Sequence, residues 1–243
     1  MKKIRVGVII CVVMLSITSC EKGGAFCYKP DGDTVTEERI HTGFTDVSLE
    51  IGADLYIEQG EEYSVEIETS ENLLEIIKTD VHGSTLEIDL KKGKCIRGDY
   101  EIKIYITLPS LEEVSISGSG DVYVKNKMIA DKLDISISGS GNFELDSLYV
   151  NELEASISGS GDLMLTSLDT AYSQEIRISG SGEIRAINMP VLNSEINISG
   201  SGHCEVHAID RLDIAISGSG DVYYKGNPII DQHISGSGSI RPY

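Results

Sequence analysis

Ile116-Ser117-Gly118-Ser119-Gly120 is the stretch that decides the fold, because the same five residues recur through the second half of the chain. The motif occurs seven times, and its copies begin at Ile116, Ile137, Ile157, Ile178, Ile198, Ile216 and Ile234. Successive copies are 21, 20, 21, 20, 18 and 18 residues apart. A repeat of about 20 residues is typical of a solenoid, in which each turn buries its apolar face against its neighbours.

Apolar residues occupy fixed positions around nearly every copy of the motif. Three residues before the first Ser stand Val114, Ile135, Ala155, Ile176, Ile196, Ile214 and Gln232. Five residues after it stand Val122, Phe143, Leu163, Ile184, Cys204, Val222 and Ile240. The first set lies two residues before the Ile of the motif, and a spacing of two is the period of a β-strand rather than a helix.

Twenty residues at about 3.3 Å each are enough for one three-sided coil of strands. We therefore predict an all-β fold, a right-handed parallel β-helix with seven regular coils over residues 111–243. An antiparallel sandwich is the alternative, but it does not require the same five residues at the same phase seven times. Residues 44–110 lack the motif yet alternate apolar and polar residues. There we expect irregular coils that cap the N-terminal end, with one helical turn at residues 70–74.

The first twenty residues are typical of an export signal. Lys2, Lys3 and Arg5 precede an apolar run over residues 6–15, which is too short to span a bilayer. The residues just before Cys20 resemble a bacterial lipobox, and this resemblance implies cleavage before Cys20 and acylation of Cys20. The alternative is an ordinary secretory signal in which Cys20 is incidental. We predict a lipoprotein signal peptide at residues 1–19, and a lipidated Cys20 with a flexible tether over residues 20–43.

A lipid anchor makes the membrane the first predicted partner and the bacterial cell envelope the predicted location, as an outer-membrane lipoprotein. The periplasmic face and the outer surface both stay open. Disulfides persist in this oxidising compartment. Cys27 and Cys95 are therefore candidates for a disulfide, although the sequence does not give their distance in space. Cys204 shares its column with Val and Leu, which predicts a buried apolar side chain. The cysteines are not clustered as metal ligands are, so no metal site is predicted.

Several motifs together resemble a known family. They are the repeated Ile-Ser-Gly-Ser-Gly-Asp, a preceding Glu-Asn-Leu-Leu, the Ile-Tyr-Ile-Thr-Leu-Pro before the first copy and a late Gly-Ser-Gly-Ser-Ile. With them, residues 44–240 resemble the putative auto-transporter adhesin, head GIN domain family. This resemblance implies a β-helix on the envelope of Bacteroidetes-like bacteria, and it brings no catalytic residues. The chain departs from the Asp of the motif at Asn142, Glu183, His203 and Ser239.

Two serines in every copy are the first candidate functional residues. If strand alternation continues through the motif, both glycines face the core and both serines face outward. The serine ladder, as we call this set, consists of Ser117, Ser119, Ser138, Ser140, Ser158, Ser160, Ser179, Ser181, Ser199, Ser201, Ser217, Ser219, Ser235 and Ser237. One hypothesis is a hydrogen-bonded ladder that stabilises the stack, and the other is a flat hydroxyl array for a repeating ligand such as a glycan. A nucleophilic Ser is not expected, because the nucleophile elbow requires Gly-x-Ser-x-Gly between a strand and a helix.

An acidic residue stands four positions before the first Ser of every copy. The acidic ladder, as we call this set, consists of Glu113, Asp134, Glu154, Glu175, Glu195, Asp213 and Asp231. Stacked coils hold neighbouring carboxylates about 4.8 Å apart, a distance at which like charges repel. One explanation is binding of a divalent cation such as Ca²⁺. The other is a solvated face whose charge blocks pairing with further strands.

Composition narrows the function classes. Asp plus Glu number 39 against 20 Lys plus Arg, a net charge of −19 at pH 7. That charge repels phosphate backbones and excludes a nucleic-acid partner. Phe is scarce at 3 residues and Trp is absent, which leaves little aromatic surface for stacking on sugars. Arg185 and Glu205 share a column one coil apart, which predicts a surface salt bridge near His203 and His207 rather than a catalytic pair.

We therefore expect a lipid-anchored envelope protein that acts as a non-catalytic scaffold for adhesion or interaction. Its partner is an unidentified protein or glycan, and no cofactor is expected. The alternative is a glycan-binding or polysaccharide-cleaving β-helix protein. The steps of 18–21 residues favour the scaffold, because they leave no room for long loops along one side of the coils.

Overall fold

The structure, a computed structural model, describes residues 26–243. It is nearly all β, with 70% strand and 2% helix. Stacked parallel coils form a β-solenoid of about six turns. The predicted signal peptide at residues 1–19 and the lipidated Cys20 lie outside the described residues.

The N-terminal part contains nine short strands and one helical turn. They are β1 (Phe26–Tyr28), β2 (Thr34–Glu38), β3 (Asp46–Leu49), β4 (Asp54–Gln59), β5 (Ser64–Ser70), α1 (Glu71–Leu74), β6 (Ile77–His82), β7 (Thr85–Leu90), β8 (Lys94–Ile96) and β9 (Lys103–Leu108). The predicted helical turn at residues 70–74 is α1, which buries Leu73 and Leu74.

The repeat part contains eleven strands, several of which bend around a corner of the coil. They are β10 (Glu113–Gly118), β11 (Asp121–Lys125), β12 (Met128–Gly139), β13 (Phe143–Gly159), β14 (Asp162–Ser167), β15 (Ala171–Gly180), β16 (Glu183–Gly200), β17 (His203–Gly218), β18 (Asp221–Lys225), β19 (Ile229–Gly236) and β20 (Ser239–Pro242). Equivalent positions of successive copies are direct neighbours, as in Ile116 beside Ile137 and Ile137 beside Ile157.

The core follows the columns that the sequence shows. The Ile of the motif is buried in the first six copies, and Val122, Phe143 and Cys204 are buried in the column after the motif. Burial raises the pKa of the Cys204 thiol, so this side chain is an apolar packing group. The unequal steps between copies are absorbed after the second strand of each coil, where the pairing shifts at residues 145–148, 164–166 and 186–190.

One coil of the solenoid lacks the motif. β3 pairs in parallel with β10, and β4 pairs in parallel with β11. Val47 and Leu49 therefore lie beside Val114 and Ile116 in the core columns. A further turn stacks on this coil through β7 and β9, which pair with β3 and β4. β3, β4, β7 and β9 thus continue the parallel stack without the motif.

Antiparallel strands close the N-terminal end. β5 pairs antiparallel with β9, β2 with β5, and β6 with β7. The predicted tether was too long, because residues 26–43 contain β1 and β2, both paired with the rest of the domain. A disulfide joins Cys27 of β1 to Cys95 of β8, which fixes this segment to the cap.

The C-terminal end has no such cover among the described strands. Leu212, four residues before the Ile of its copy of the motif, is fully buried. Its neighbour in the last turn, Ile230, is 36% exposed. Ile216 is 1% exposed and its neighbour Ile234 is 38% exposed. Burial in this stack therefore requires a coil on both sides.

Candidate functional site

The motif corner, formed by the Ser-Gly-Ser-Gly residues of all seven copies, runs along one edge of the solenoid. All fourteen side chains of the serine ladder are exposed. Successive copies keep one register, so Ser158 lies beside Ser138 and Ser179. The result is two parallel rows of hydroxyl groups at the spacing of the coils, about 4.8 Å.

Backbone hydrogen bonds hold the motif corner together. The second Ser of each copy donates its N–H to the carbonyl of the first Gly in the preceding copy, and the distance is 2.8 Å from Ser140 to Gly118 and from Ser181 to Gly159. Within residues 26–243, none of the ladder hydroxyls takes part in a side-chain hydrogen bond. The predicted hydrogen-bonded ladder of Ser side chains is therefore corrected to a backbone ladder beneath exposed hydroxyls.

The two glycines of the motif have different roles, and only the second faces the core. Gly159, a first glycine, is partly exposed and has φ +142°. A Cβ there would lie 2.2 Å from the carbonyl oxygen of Gly139 in the preceding copy. Gly161, a second glycine, is buried, and its Cβ would clash with Gly141 and with Ile137. The prediction that both glycines face inward fails because the positive φ of the first glycine interrupts the alternation of the strand.

The acidic ladder is stacked in register on the outward face before the motif corner. Glu113 lies beside Asp134, and the pairing continues coil by coil to Asp213 beside Asp231. The coil without the motif extends the row by one carboxylate, Asp46, which lies beside Glu113 and accepts a hydrogen bond from Ser84 Oγ.

Three cations interrupt the negative charge of the acidic ladder. Lys132 Nζ lies 2.8 Å from Glu154 and 3.4 Å from Asp134. Arg211 Nε lies 2.6 Å from Asp213, and Arg177 pairs with Glu175. These hydrogen bonds raise the pKa of Lys132 and of Arg211. The repulsion expected between stacked carboxylates is thus relieved by side chains of this chain.

A second polar column follows the motif corner. Asn142 donates from its backbone N and from Nδ2 to Asp121 Oδ1, at 3.0 and 2.8 Å. The hydroxyl of Ser239 donates to the carboxylate of Asp221. Asn142 and Ser239, two of the departures from the Asp of the motif, therefore each donate to a carboxylate of the preceding coil. Where two carboxylates remain adjacent, at Asp54 beside Asp121, burial and then the neighbouring charge raise the pKa of Asp54.

The predicted pair of Arg185 and Glu205 is adjacent in register, but Arg185 bonds elsewhere. Its Nε and Nη2 donate to the two oxygens of Glu183, at 2.8 and 2.5 Å. Glu205 instead lies 3.5 Å from Nε2 of His203. The salt bridge in this region is therefore local to β16 rather than between coils.

A stack of three tyrosines lies on the outward face of the coils near the cap. The ring of Tyr56 is 5.2 Å from that of Tyr105 and 5.3 Å from that of Tyr123, with planes within 20° of parallel. Lys125 Nζ lies 4.2 Å from the centre of the Tyr56 ring. Sequence reasoning missed this stack. The available signal was a Tyr two residues after the Asp of both coils, in Asp-Leu-Tyr at 54–56 and Asp-Val-Tyr at 121–123.

Comparison with known proteins agrees with this architecture. The family model described as putative auto-transporter adhesin, head GIN domain, matches residues 43–228. The chain belongs to this family. No curated protein matches the chain significantly.

Two crystal structures illustrate the likeness. A putative adhesin from Bacteroides fragilis is similar with a TM-score of 0.84 and 29% identity, over 89% of this chain and 100% of that chain. A protein from Parabacteroides distasonis described as a putative lipid binding protein is similar with a TM-score of 0.75 and 27% identity, over 89% of this chain and 99% of that chain. In residues 26–243, no helix is both long and apolar enough to cross a membrane.

Proposed function

We propose that this chain is a lipid-anchored protein of the bacterial cell envelope that acts as a non-catalytic adhesion scaffold. The observation that carries the proposal is the motif corner, where fourteen exposed hydroxyls without protein partners repeat at the spacing of the coils. Hydroxyl groups donate and accept hydrogen bonds, so a row of them matches a partner that is itself polar and repetitive. The family, whose members are described as adhesins, supports the same role.

A repeating glycan is the partner that the motif corner favours. Unbonded hydroxyls at a regular spacing can contact successive sugar units, and each contact adds to the others in a multivalent manner. The carboxylates of the acidic ladder are partly neutralised by Lys132, Arg177 and Arg211. This arrangement suits a neutral or weakly charged polysaccharide better than an anionic one, because Glu113 and Glu195 of the row have no ion pair among the described residues.

The anchor is the second element of the proposal, and it rests on the sequence before Cys20. Cys20→Ala should release the protein from membranes or leave it unprocessed, because the acyl chains supply the membrane affinity. Detergent partitioning of the wild type and the variant measures this effect, and equal partitioning would refute lipidation. The description of one relative as lipid binding is compatible with a place at a membrane.

Binding to an array of repeating polysaccharides tests the role of the motif corner. Replacing Ser158, Ser160, Ser179 and Ser181 by Ala removes four adjacent hydroxyls without touching the core. We expect this variant to lose most of its binding and to keep its urea midpoint.

The matched control replaces Ser115, Ser136 and Ser156 by Ala, which are outward hydroxyls outside the motif corner. This control should bind as the wild type does. Equal loss in both variants, or unchanged binding in the first, would refute the proposed contact surface.

A further inference from the structure

A cluster of metal-ligand side chains lies on the outward face formed by β16 and β17. It consists of Glu183, His203 and Glu205, and one ligand atom from each lies within 4.8 Å of the other two. Their side chains are half-buried, with 27%, 32% and 21% exposed. Neither the serine ladder nor the acidic ladder includes any of these three residues.

The parallel register brings the three side chains together. Glu183 is the first residue of β16 and lies directly beside His203, the first residue of β17. Glu205 follows two positions later on β17, so it projects on the same side of the sheet as His203. His203 stands at the position that Asp162 and Asp221 occupy in other copies, and it adds an imidazole between the carboxylates of Glu183 and Asp221.

The distances suit a bound metal better than a direct hydrogen bond. Nε2 of His203 and Oε1 of Glu205 are 3.5 Å apart, beyond the usual range for a good hydrogen bond. Tetrahedral Zn²⁺, with ligand bonds of about 2.0–2.1 Å, separates its ligand atoms by about 3.4 Å. Two of the three ligand atoms are therefore already at the spacing that the ion needs, and a carboxylate oxygen of Glu183 lies within 4.8 Å of both.

Charges around the cluster favour a cation. Asp162 lies beside Glu183, and Asp221 lies beside His203, so carboxylates flank the cluster on both sides along the stack. Arg185 is the cation paired with Glu183, and it donates to both oxygens of that carboxylate. Each carboxylate oxygen has a second lone pair. Glu183 can therefore keep this pairing and bind a metal, as ligands held by outer hydrogen bonds commonly do.

We propose that Glu183, His203 and Glu205 bind one divalent transition metal ion of the Zn²⁺ class, with water in the fourth position. Imidazole and carboxylate ligands together are a donor set that Zn²⁺ accepts and that Ca²⁺, which prefers oxygen ligands alone, does not. This site is independent of the proposed adhesion role, because it lies on different residues and requires no polysaccharide.

Zn²⁺ competition against a chromophoric chelator tests the site, with the full-length protein purified without a histidine tag. The wild type should bind one Zn²⁺ per chain. His203→Ala and Glu205→Gln should each weaken that binding at least about tenfold, because each removes a direct ligand. His203→Asn keeps a polar side chain without the imidazole and should show the same loss.

His207→Ala is the matched control. His207 lies on the same strand and the same face, but its neighbour in the next coil is Lys225 rather than a carboxylate. This variant should bind Zn²⁺ as the wild type does. Absence of Zn²⁺ binding in the wild type, unchanged affinity in the His203 variants, or an equal loss in His207→Ala would overturn the proposal.

Discussion

The two ends of the solenoid are closed in different ways. At the N-terminal end, β2, β5 and β6 pair antiparallel with the stack or with one another, and a disulfide fixes β1 to β8. At the C-terminal end, β19 and β20 have a described neighbour on one side only, and the inward residues of β19 are exposed while Ile240 of β20 is half-buried. The difference teaches that each coil obtains its burial from its two neighbours, as in other repeat folds.

The open end carries residues that discourage further strand pairing. Gln232 stands at the core position that Ile196 and Ile214 occupy in the two preceding copies. Pro242 lies in β20 and lacks the backbone N–H that a further parallel strand would need. Edges of sheets are commonly protected by prolines and polar residues. A polar residue and a proline thus protect the C-terminal end from further strand pairing, whereas antiparallel strands cover the N-terminal end.

The largest expected effect comes from a methyl group at the first glycine in the middle of the stack. A Cβ at Gly159 would lie 2.2 Å from Gly139 O, whereas the nearest atom at Gly118 is Glu50 O at 4.0 Å. Both glycines have positive φ, which alone costs an Ala about 1–3 kcal/mol. We expect Gly159→Ala to lose several kcal/mol in unfolding free energy by urea titration, and Gly118→Ala only the strain of its φ. Equal losses would show that the approach between coils does not limit the motif.

A smaller effect is expected from the Ile of the motif. Ile157 is 1% exposed between two coils, whereas Ile234 is 38% exposed in the last turn. Truncating a buried Ile to Ala costs about 2–5 kcal/mol through lost burial and a cavity. Ile157→Ala should therefore lower the unfolding free energy by that amount, and Ile234→Ala by about 1 kcal/mol. Thermal and urea unfolding measure both variants. If Ile157→Ala and Ile234→Ala lower the free energy of unfolding equally, the C-terminal end is covered in solution.

The disulfide should stabilise the cap by about 2–4 kcal/mol, the typical range for a crosslink of this kind. Cys27 and Cys95 are 68 residues apart in the chain, and both lie in short strands outside the main stack. In a Cys27→Ser/Cys95→Ser variant, amide hydrogen exchange should accelerate in β1 and β8 and stay unchanged in β15 and β16. Uniform acceleration along the chain would mean that the cap and the repeat coils unfold together.

Sequence periodicity predicted the repeat part well, because identical residues at one phase impose one register. The core columns, the stacked acidic ladder and the buried Cys204 all follow from that register. The coil at residues 46–59 was expected as one of the irregular coils, but its exact register with the first copy was not predicted, because Glu50-Ile51-Gly52-Ala53 occupies the positions of the Ser-Gly-Ser-Gly corner. The antiparallel pairing of β5 with β2 and β9 was not predictable either, since pairing between strands distant in sequence leaves no periodic signal.

The candidate sites were predicted in position but not in detail. The outward direction of the serines could be predicted from strand alternation. The lack of partners for their hydroxyls could not, because the coils are joined at this corner by backbone hydrogen bonds, of which Ser140 N–H to Gly118 O is the first. Lys132 and Arg211 form ion pairs with the acidic ladder. These pairs depend on the conformations of long side chains, which aligned repeat positions in a sequence do not show. The Tyr56 stack was missed for a simpler reason. The low overall number of aromatic residues drew attention away from three tyrosines that the register of the coils places side by side.

The central claim, that coils stack in register through the motif corner and depend on a neighbour at each side, is tested most directly by amide hydrogen exchange along the backbone ladder. The N–H groups of six serines make the same 2.8 Å hydrogen bond, and they belong to Ser140, Ser160, Ser181, Ser201, Ser219 and Ser237. Each stands between two glycines, so their intrinsic exchange rates match. The account predicts the slowest exchange at Ser160, Ser181 and Ser201 and the fastest at Ser237, because stability falls towards the open end. Equal protection at all six serines, or fastest exchange in the middle of the stack, would contradict it.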